Sequence, residues 1–298
     1  MINIKTKREM EKMVEAGNKL GKIFDLLEPY IKPGVSTAEI DKLANKFILE
    51  SGGKPNFALE DGYNWAVCAS VNEVLIHGIP SKSVVLKEGD IVSIDMGNLD
   101  NNGYNGDACR TFAVGNISDE AKRLIRCTEE CFYEAFKVLK PGIHLYEISK
   151  AIDRTASKYG YSLVKEYGGH GIGREMHEDP FIYNYYSPEM GLGPFLREGM
   201  CLAIEPMVMA GKSDIITLKD GWGIVSADKK LTCHYENDVI ITSDGAIITS
   251  VDSNVKRHLK ELEIESKEWA EKISLRWREQ FSIPFPASSS RYNSTAAP

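Results

Sequence analysis

The strongest constraint on how this chain folds is an internal echo. Ile31-Lys32-Pro33-Gly34-Val35 recurs as Leu139-Lys140-Pro141-Gly142-Ile143, an offset of 139 − 31 = 108, and Glu39-Ile40 recurs as Glu147-Ile148 at the same offset. Lys87-Glu88-Gly89 recurs as Arg197-Glu198-Gly199, an offset of 197 − 87 = 110, and the apolar run Asp90-Ile91-Val92-Ser93-Ile94-Asp95 behind it recurs as Met200-Cys201-Leu202-Ala203-Ile204-Glu205. His77-Gly78-Ile79-Pro80 pairs with His177-Glu178-Asp179-Pro180 at 177 − 77 = 100. One short match arises by chance; several in the same order indicate a doubled unit, with a period far too long for a solenoid. The echo predicts two half-domains, about 1–117 and 118–252, related by a pseudo-two-fold axis, with a site where they meet. Residues 253–298 lie outside it.

Hydrophobic patterning fills in the elements. Residues 6–30 read as an amphipathic helix carrying Met10, Met13, Val14, Leu20, Ile23 and Leu26-Leu27 on one side. Residues 36–51 read as a second helix, with Ser36 and Glu39 forming a capping box. The corresponding helices of the second half are 118–139 and 144–159. Strands are predicted at 65–70, 91–96, 108–114, 201–205 and 235–242, with hairpin turns at Asn102-Gly103 and Asp244-Gly245. This mixture of helices and short, mostly antiparallel strands predicts an α+β fold. In the tail, Val255, Leu259, Leu262, Trp269, Ile273 and Trp277 follow helical spacing, and 282–298, rich in Pro, Ser and Ala, reads as disordered.

Composition excludes several classes. With 43% hydrophobic residues a core is affordable, and no apolar run is long enough for a membrane span. The net charge of −7 disfavours a broadly basic nucleic-acid binder. The charged N-terminal segment has no apolar signal region. The six cysteines, Cys68, Cys109, Cys127, Cys131, Cys201 and Cys233, are scattered and form no C-x-x-C pair, which suits a reducing cytoplasm.

Carboxylates carry the chemistry. Asp95 and Glu205 end the two echoed apolar strands, where an acid is costly unless it is paired or metal-bound. One such acid is compatible with a core salt bridge; two at equivalent places indicate a shared site. Asp107 and Glu236 head two further strands, and a hairpin brings Asp107 beside Asp95. Four carboxylates in one cleft repel, and two divalent cations would cancel that charge. His170, in Gly168-Gly169-His170-Gly171, adds a nitrogen donor whose flanking glycines allow close approach to an ion. The set suits a pair of Mn, Fe(II), Co or Zn ions about 3.5–4 Å apart. His77 and His177, matched by the echo, are placed to donate hydrogen bonds to a scissile amide and its oxyanion. His144, His234 and His258 have no echo and receive no role. There is no H-E-x-x-H, no phosphate loop and no G-x-S-x-G elbow.

The ordered set His77-Gly78-Ile79-Pro80, Asp90 to Asp95, Asn105-Gly106-Asp107, Gly169-His170-Gly171-Ile172-Gly173-Arg174, His177-Glu178-x-Pro180, Gly199 to Met207 and Tyr235-Glu236 resembles the methionine aminopeptidases over roughly residues 1–250. The resemblance implies the pita-bread fold, whose two halves agree with the echo. It implies five metal ligands: Asp107 and Glu236 bridging two ions, His170 and Glu205 completing one, and Asp95 the other. His77 and His177 would contact the substrate, and Glu205 would also relay the proton of the attacking water. A methionine pocket would be lined by Phe57, Tyr63, Cys68, Met176 and Trp222. The chain departs from the family pattern at Glu60, where an aromatic is common, and at Met176, where Phe is common. Only 236 − 205 = 31 positions separate the last two ligands, which leaves no room for the insertion of the type 2 branch. With no zinc-binding N-terminal extension, the chain resembles the bacterial type 1 form. The implied activity is removal of N-terminal methionine from nascent polypeptides near the ribosome, favouring a small second residue, by a cytoplasmic monomer. The competing expectations are an X-Pro aminopeptidase or prolidase, which share the fold, and an inactive binding module.

Overall fold

The computed structural model describes residues 1–265. Met1–Ser253 form one compact unit, and a helix spanning Ser253–Glu265 follows. The later part of the expected tail helix, with Trp269, Ile273 and Trp277, and the expected disordered stretch 282–298 lie outside the described residues.

Each half opens with two helices. In the first, α1 (Lys7–Leu27) buries Met10, Met13, Val14, Leu20, Ile23 and Leu27. Leu26, expected on the same side, is instead 53% exposed, because neighbours on a helix point about 100° apart and only one of the pair can face the core. Helix α2 (Thr37–Glu50) starts at the expected capping box: Glu39 N donates to Ser36 Oγ at 3.3 Å, and Ser36 N donates to the Glu39 carboxylate at 2.8 Å. In the second half, α3 (Asp119–Lys137) is capped by Ser118, and α4 (Tyr146–Tyr159) ends at Gly160, whose left-handed φ of 72° suits glycine.

The strands that carry the site are β1 (Val67–Val71), β2 (Ile91–Leu99), β3 (Asn105–Ala113), β4 (Gly168–Gly171), β5 (Glu178–Tyr183), β6 (Cys201–Ile204), β7 (Glu236–Ile241) and β8 (Ala246–Ile248). With the short strand Lys54–Pro55 they form a nine-stranded sheet in the order Lys54–Pro55, β2, β3, β7, β6, β4, β5, with β1 also pairing β2 and β8 pairing β7. Both predicted hairpins are present: Leu99 pairs with Asn105 across one turn, and Ile241 with Ala246 across the other. At the β3–β7 junction, β1, β2, β3 and the strand Lys54–Pro55 stand on one side, and β4, β5, β6, β7 and β8 on the other. Asp95 does not end its strand as expected. β2 continues four residues further, to Leu99, because the hairpin ladder with β3 runs through it. Residues of α1 and α2, including Leu20, Phe24, Ile40 and Ile48, cover one face of the first half together with Val92, Ile94 and Met96.

Arg110 ties the junction from behind. Its guanidinium is 2% exposed as a residue and uses every N–H it has. Nε donates to Asp252 at 2.6 Å; Nη1 donates to the carbonyls of Cys109 and Glu236 at 2.9 and 2.6 Å; Nη2 donates to Asn237 Oδ1 and the Ser250 carbonyl at 2.7 and 3.0 Å. The rings of Phe24 and Tyr235 lie 5.1 and 4.8 Å from it. Five satisfied donors and two ring faces make this buried charge tenable, and the same contacts fix the backbone of β3 against β7. Asp252→Ala strands the Arg110 charge and is expected to destabilise the protein by about 3–5 kcal/mol in urea unfolding. A loss below about 1 kcal/mol would contradict the clamp.

Candidate active site

The register of the sheet assembles the site. Cys68 pairs with Asp95, Asp95 with Cys109, and Cys109 with Glu236. Asn237 pairs with Ile204, so one further step sets Glu205 opposite Glu236. Residues side by side across a sheet share a face, so this row places Cys68, Asp95, Glu236 and Glu205 together, with the small thiol of Cys109 between two acids. Asp107 stands two residues along β3 from Cys109 and therefore on the same face. His170 pairs with Ala203, two residues from Glu205, and joins them. All five predicted ligands thus meet and line one cavity of about 560 Å³.

The glycines around His170 serve the sheet. A Cβ on Gly169 would stand 2.3 Å from the Ala203 carbonyl oxygen, and one on Gly171 would stand 2.1 Å from that of Asp179. Strand β4 is pressed between its two neighbours, and this close approach by itself demands glycine.

The electrostatics are those of crowded, dehydrated acids. Burial pushes the Asp95 carboxyl up to about 8. Burial, and then the neighbouring carboxylates, hold Asp107, Glu205 and Glu236 well above the usual carboxylate range. Asp95 Oδ1 and Asp107 Oδ1 are buried with no hydrogen-bond partner among the described residues. Ligand atoms of Asp107, His170 and Glu236 all lie within 4.8 Å of one another. The His170 Nδ1–H donates to the Gly171 carbonyl at 2.9 Å, which leaves Nε2 facing Glu205 Oε1 at 3.7 Å. Hard carboxylate oxygens without partners, beside an imidazole whose tautomer is fixed, form a donor set that suits divalent cations.

The other predicted histidines are neutral. Burial, and then His177, lower His77 to about 4, and burial, and then His177, lower His170 to about 4. His177 is lowered by burial. His77 takes a left-handed φ of 56°, and the rings of Tyr167 and Trp222 stand edge-on to it at 5.8 and 6.4 Å. The His177 ring lies 4.5 Å from that of His170. At one end of the cavity Phe57, Tyr63 and Cys68 form an apolar cluster, with Met176 and Trp222 packed on it. All five residues of the expected methionine pocket therefore come together. Burial keeps the Cys68 thiol protonated, with its pKa raised well above the ordinary value. Glu60 lies on the cavity wall and is exposed.

Two residues in the site carried no role in the sequence reading. His234 was left without one, yet it is 2% exposed, with Nε2 3.8 Å from Glu205 Oε2 and 3.7 Å from Glu236 Oε2, and neither ring nitrogen has a hydrogen-bond partner among the described residues. Asp238 accepts from the Asp107 backbone N–H at 2.8 Å. Asp238 stands two positions along β7 from Glu236, and the period of two along a strand was the signal that could have found it; His234 ends a separate strand, Thr232–His234, and no local spacing marks it.

The family described as metallopeptidase family M24 matches residues 11–243. A methionine aminopeptidase of Clostridium acetobutylicum is 46% identical over 251 residues, which is 84% of this chain and 99% of that protein. The crystal structure of a methionine aminopeptidase from Thermotoga maritima superposes with a TM-score of 0.82 at 41% identity, covering 85% of this chain and 100% of that one. The prolidase from Pyrococcus furiosus superposes with a TM-score of 0.68 at 26% identity, covering 84% of this chain and 66% of that one. No helix among the described residues is long and apolar enough to cross a membrane.

The raised carboxyls set a pH dependence. Without cations, the folded protein keeps protons on these acids that the unfolded chain has already lost, so stability falls as pH rises toward the folded value of about 8 for Asp95. The neutral histidines act in the opposite sense, but only up to their unfolded value of about 6.5. Between about pH 6.5 and 8 the acids alone remain, so the Tm of cation-free protein, followed by circular dichroism, is expected to fall across that window, and the Tm gain on adding Mn(II) to grow. A Tm that is flat or rising without cations would contradict the crowding.

Proposed function

Because the chain belongs to metallopeptidase family M24 and, within it, to the methionine aminopeptidases, we propose that it hydrolyses N-terminal methionine from newly made polypeptides using two divalent ions. The observation that carries this reading is the row of four crowded carboxyls, with Asp95 and Asp107 each burying an oxygen that has no hydrogen-bond partner among the described residues, beside an apolar pocket. Asp107, His170 and Glu236, whose ligand atoms stand within 4.8 Å of one another, would share one ion with Glu205, and Asp95, beside them in the row, would complete a second held jointly by Asp107 and Glu236. Mn, Fe(II), Co and Zn all suit this donor set.

When bound, the ions acidify a water molecule and polarise the scissile carbonyl. The rest falls to the chain. The Glu205 carboxylate takes the proton of the attacking water and returns it to the leaving amine. His77, half-buried, and His177, on the cavity wall, are kept neutral by partial desolvation and donate hydrogen bonds to the scissile region, where an oxyanion develops. Phe57, Tyr63, Cys68, Met176 and Trp222 receive the methionine side chain; a thioether suits a pocket of rings and sulfur. Met176 in that wall is flexible enough to follow it. A small second residue is the preference the resemblance implies. The prolidase reading is supported by fold alone at lower identity, and an inactive binding module is disfavoured because all five ligand positions hold competent residues.

Turnover of a peptide panel after loading with Mn(II) or Co(II) tests this. Met-Ala-Ser is expected to lose its methionine, Met-Leu-Ser to react far more slowly, and a Gly-Pro bond to stay intact. Glu205→Gln is expected to lower kcat by about 10²–10⁴-fold. Cleavage of Gly-Pro with Met-Ala-Ser untouched would turn the assignment to prolidase chemistry, and an unimpaired Glu205→Gln protein would remove Glu205 from the reaction.

A further inference from the structure

Strand β5 ends the strand order of the large sheet, and its side chains split by the period of two. Pro180 and Ile182 are buried, whereas Asp179 and Phe181 are exposed and Tyr183 is half-buried on the opposite face. Asp179 and Phe181 line the cavity mouth. Beyond the mouth the aromatic face continues. The Phe181 and Tyr183 rings are 4.8 Å apart and those of Tyr183 and Tyr185 5.8 Å apart, while Tyr146 of α4 stands behind Tyr183 at 5.7 Å. Phe181 is 41% exposed. Gly168 of β4 accommodates it: a Cβ there would come within 3.1 Å of the Phe181 ring and 2.3 Å of the Ile182 carbonyl oxygen.

A run of exposed and half-buried rings continuous with a substrate cavity marks an interaction surface. Rigid aromatic rings with few rotatable bonds are also the side chains that contribute most to binding at such surfaces. We infer that Phe181, Tyr183 and Tyr185 form a docking strip for the downstream part of the polypeptide substrate, from its third residue onward. The inference rests on the proposed peptidase activity, which places the substrate's first residues in the cavity and so brings the rest of the chain out over Phe181. An extended peptide advances about 3.3 Å per residue, so its alternate side chains keep step with Phe181 and Tyr183, two residues apart on β5, and reach Tyr185 just past its end. The strip engages side chains and rings without a fixed charge pattern, which suits a substrate class defined by its N-terminus and variable beyond it.

The test separates the strip from the chemistry. In the cation-loaded Glu205→Gln protein, where peptides stay intact, calorimetry compares Met-Ala-Ser with a ten-residue peptide beginning Met-Ala-Ser. The longer peptide is expected to bind about tenfold more tightly, and Tyr183→Ser combined with Tyr185→Ser, neither of which lines the cavity, to erase that advantage while leaving tripeptide affinity unchanged. The unchanged tripeptide affinity also shows that the variant is folded. Tyr183→Ser alone, measured in the same way, is expected to lose part of the advantage. Equal affinity for the two lengths in the parent protein, or an equal loss for both lengths in the variants, overturns the strip. If the length dependence appears but wild-type protein cleaves neither peptide, the strip stands and the activity reading falls.

Discussion

The structure depends on four carboxyl groups that share one dehydrated face. Asp95, Asp107, Glu205 and Glu236 sit on adjacent strands, with two of the interstrand steps separated only by a cysteine. Burial raises each of them, and each ionised neighbour makes the next ionisation harder. Left alone, the cluster is tolerable only when protonated, and divalent cations would relieve the same repulsion. The proposed function rests on that second possibility.

A site under such repulsion needs a rigid frame. The ladder between β2 and β3 runs unbroken from Ile91 to Leu99, which fixes the spacing of Asp95 and Asp107. The junction of the two halves, β3 against β7, is short, pairing only Cys109 with Glu236 and Ala108 with Asn237. Arg110 compensates from the opposite face by holding the carbonyls of both strands and anchoring to Asp252. A cation behind the sheet and an acid of the cluster in front of it share the four-residue stretch Asp107–Arg110 of β3. The contacts that make the cation tenable also hold the backbone beside Asp107 and Glu236.

Much of this was legible in the sequence because the signals were local or repeated. The echo gave the paired helices, the equivalent strands and the two acids at matching places, and the capping box at Ser36 and the turns at Asn102-Gly103 and Asp244-Gly245 are short-range chemistry that tertiary packing did not override. The misses were relational. Leu26 follows the helical pattern as well as Leu27 does, and only the position of the core decides between them. The extension of β2 past Asp95 depends on its partner strand. His234 has no echo in the first half, and its place between Glu205 and Glu236 comes from the meeting of β6, β7 and the strand Thr232–His234, which pairs with Met207–Met209. The glycines beside His170 also answer to packing, since their neighbours are the carbonyls of adjacent strands, a demand only the assembled sheet reveals. The apolar pocket was readable only through family resemblance, because Phe57, Cys68, Met176 and Trp222 come from four separate segments and no spacing links them.

Anomalous diffraction from a crystal soaked in Mn(II) addresses the cluster most directly. Two peaks about 3.5–4 Å apart are expected, both within bonding distance of Asp107 and Glu236, one also touching His170 and Glu205 and the other Asp95. No peak at the row, or a metal held elsewhere while those four acids remain unligated, would contradict the two-ion site.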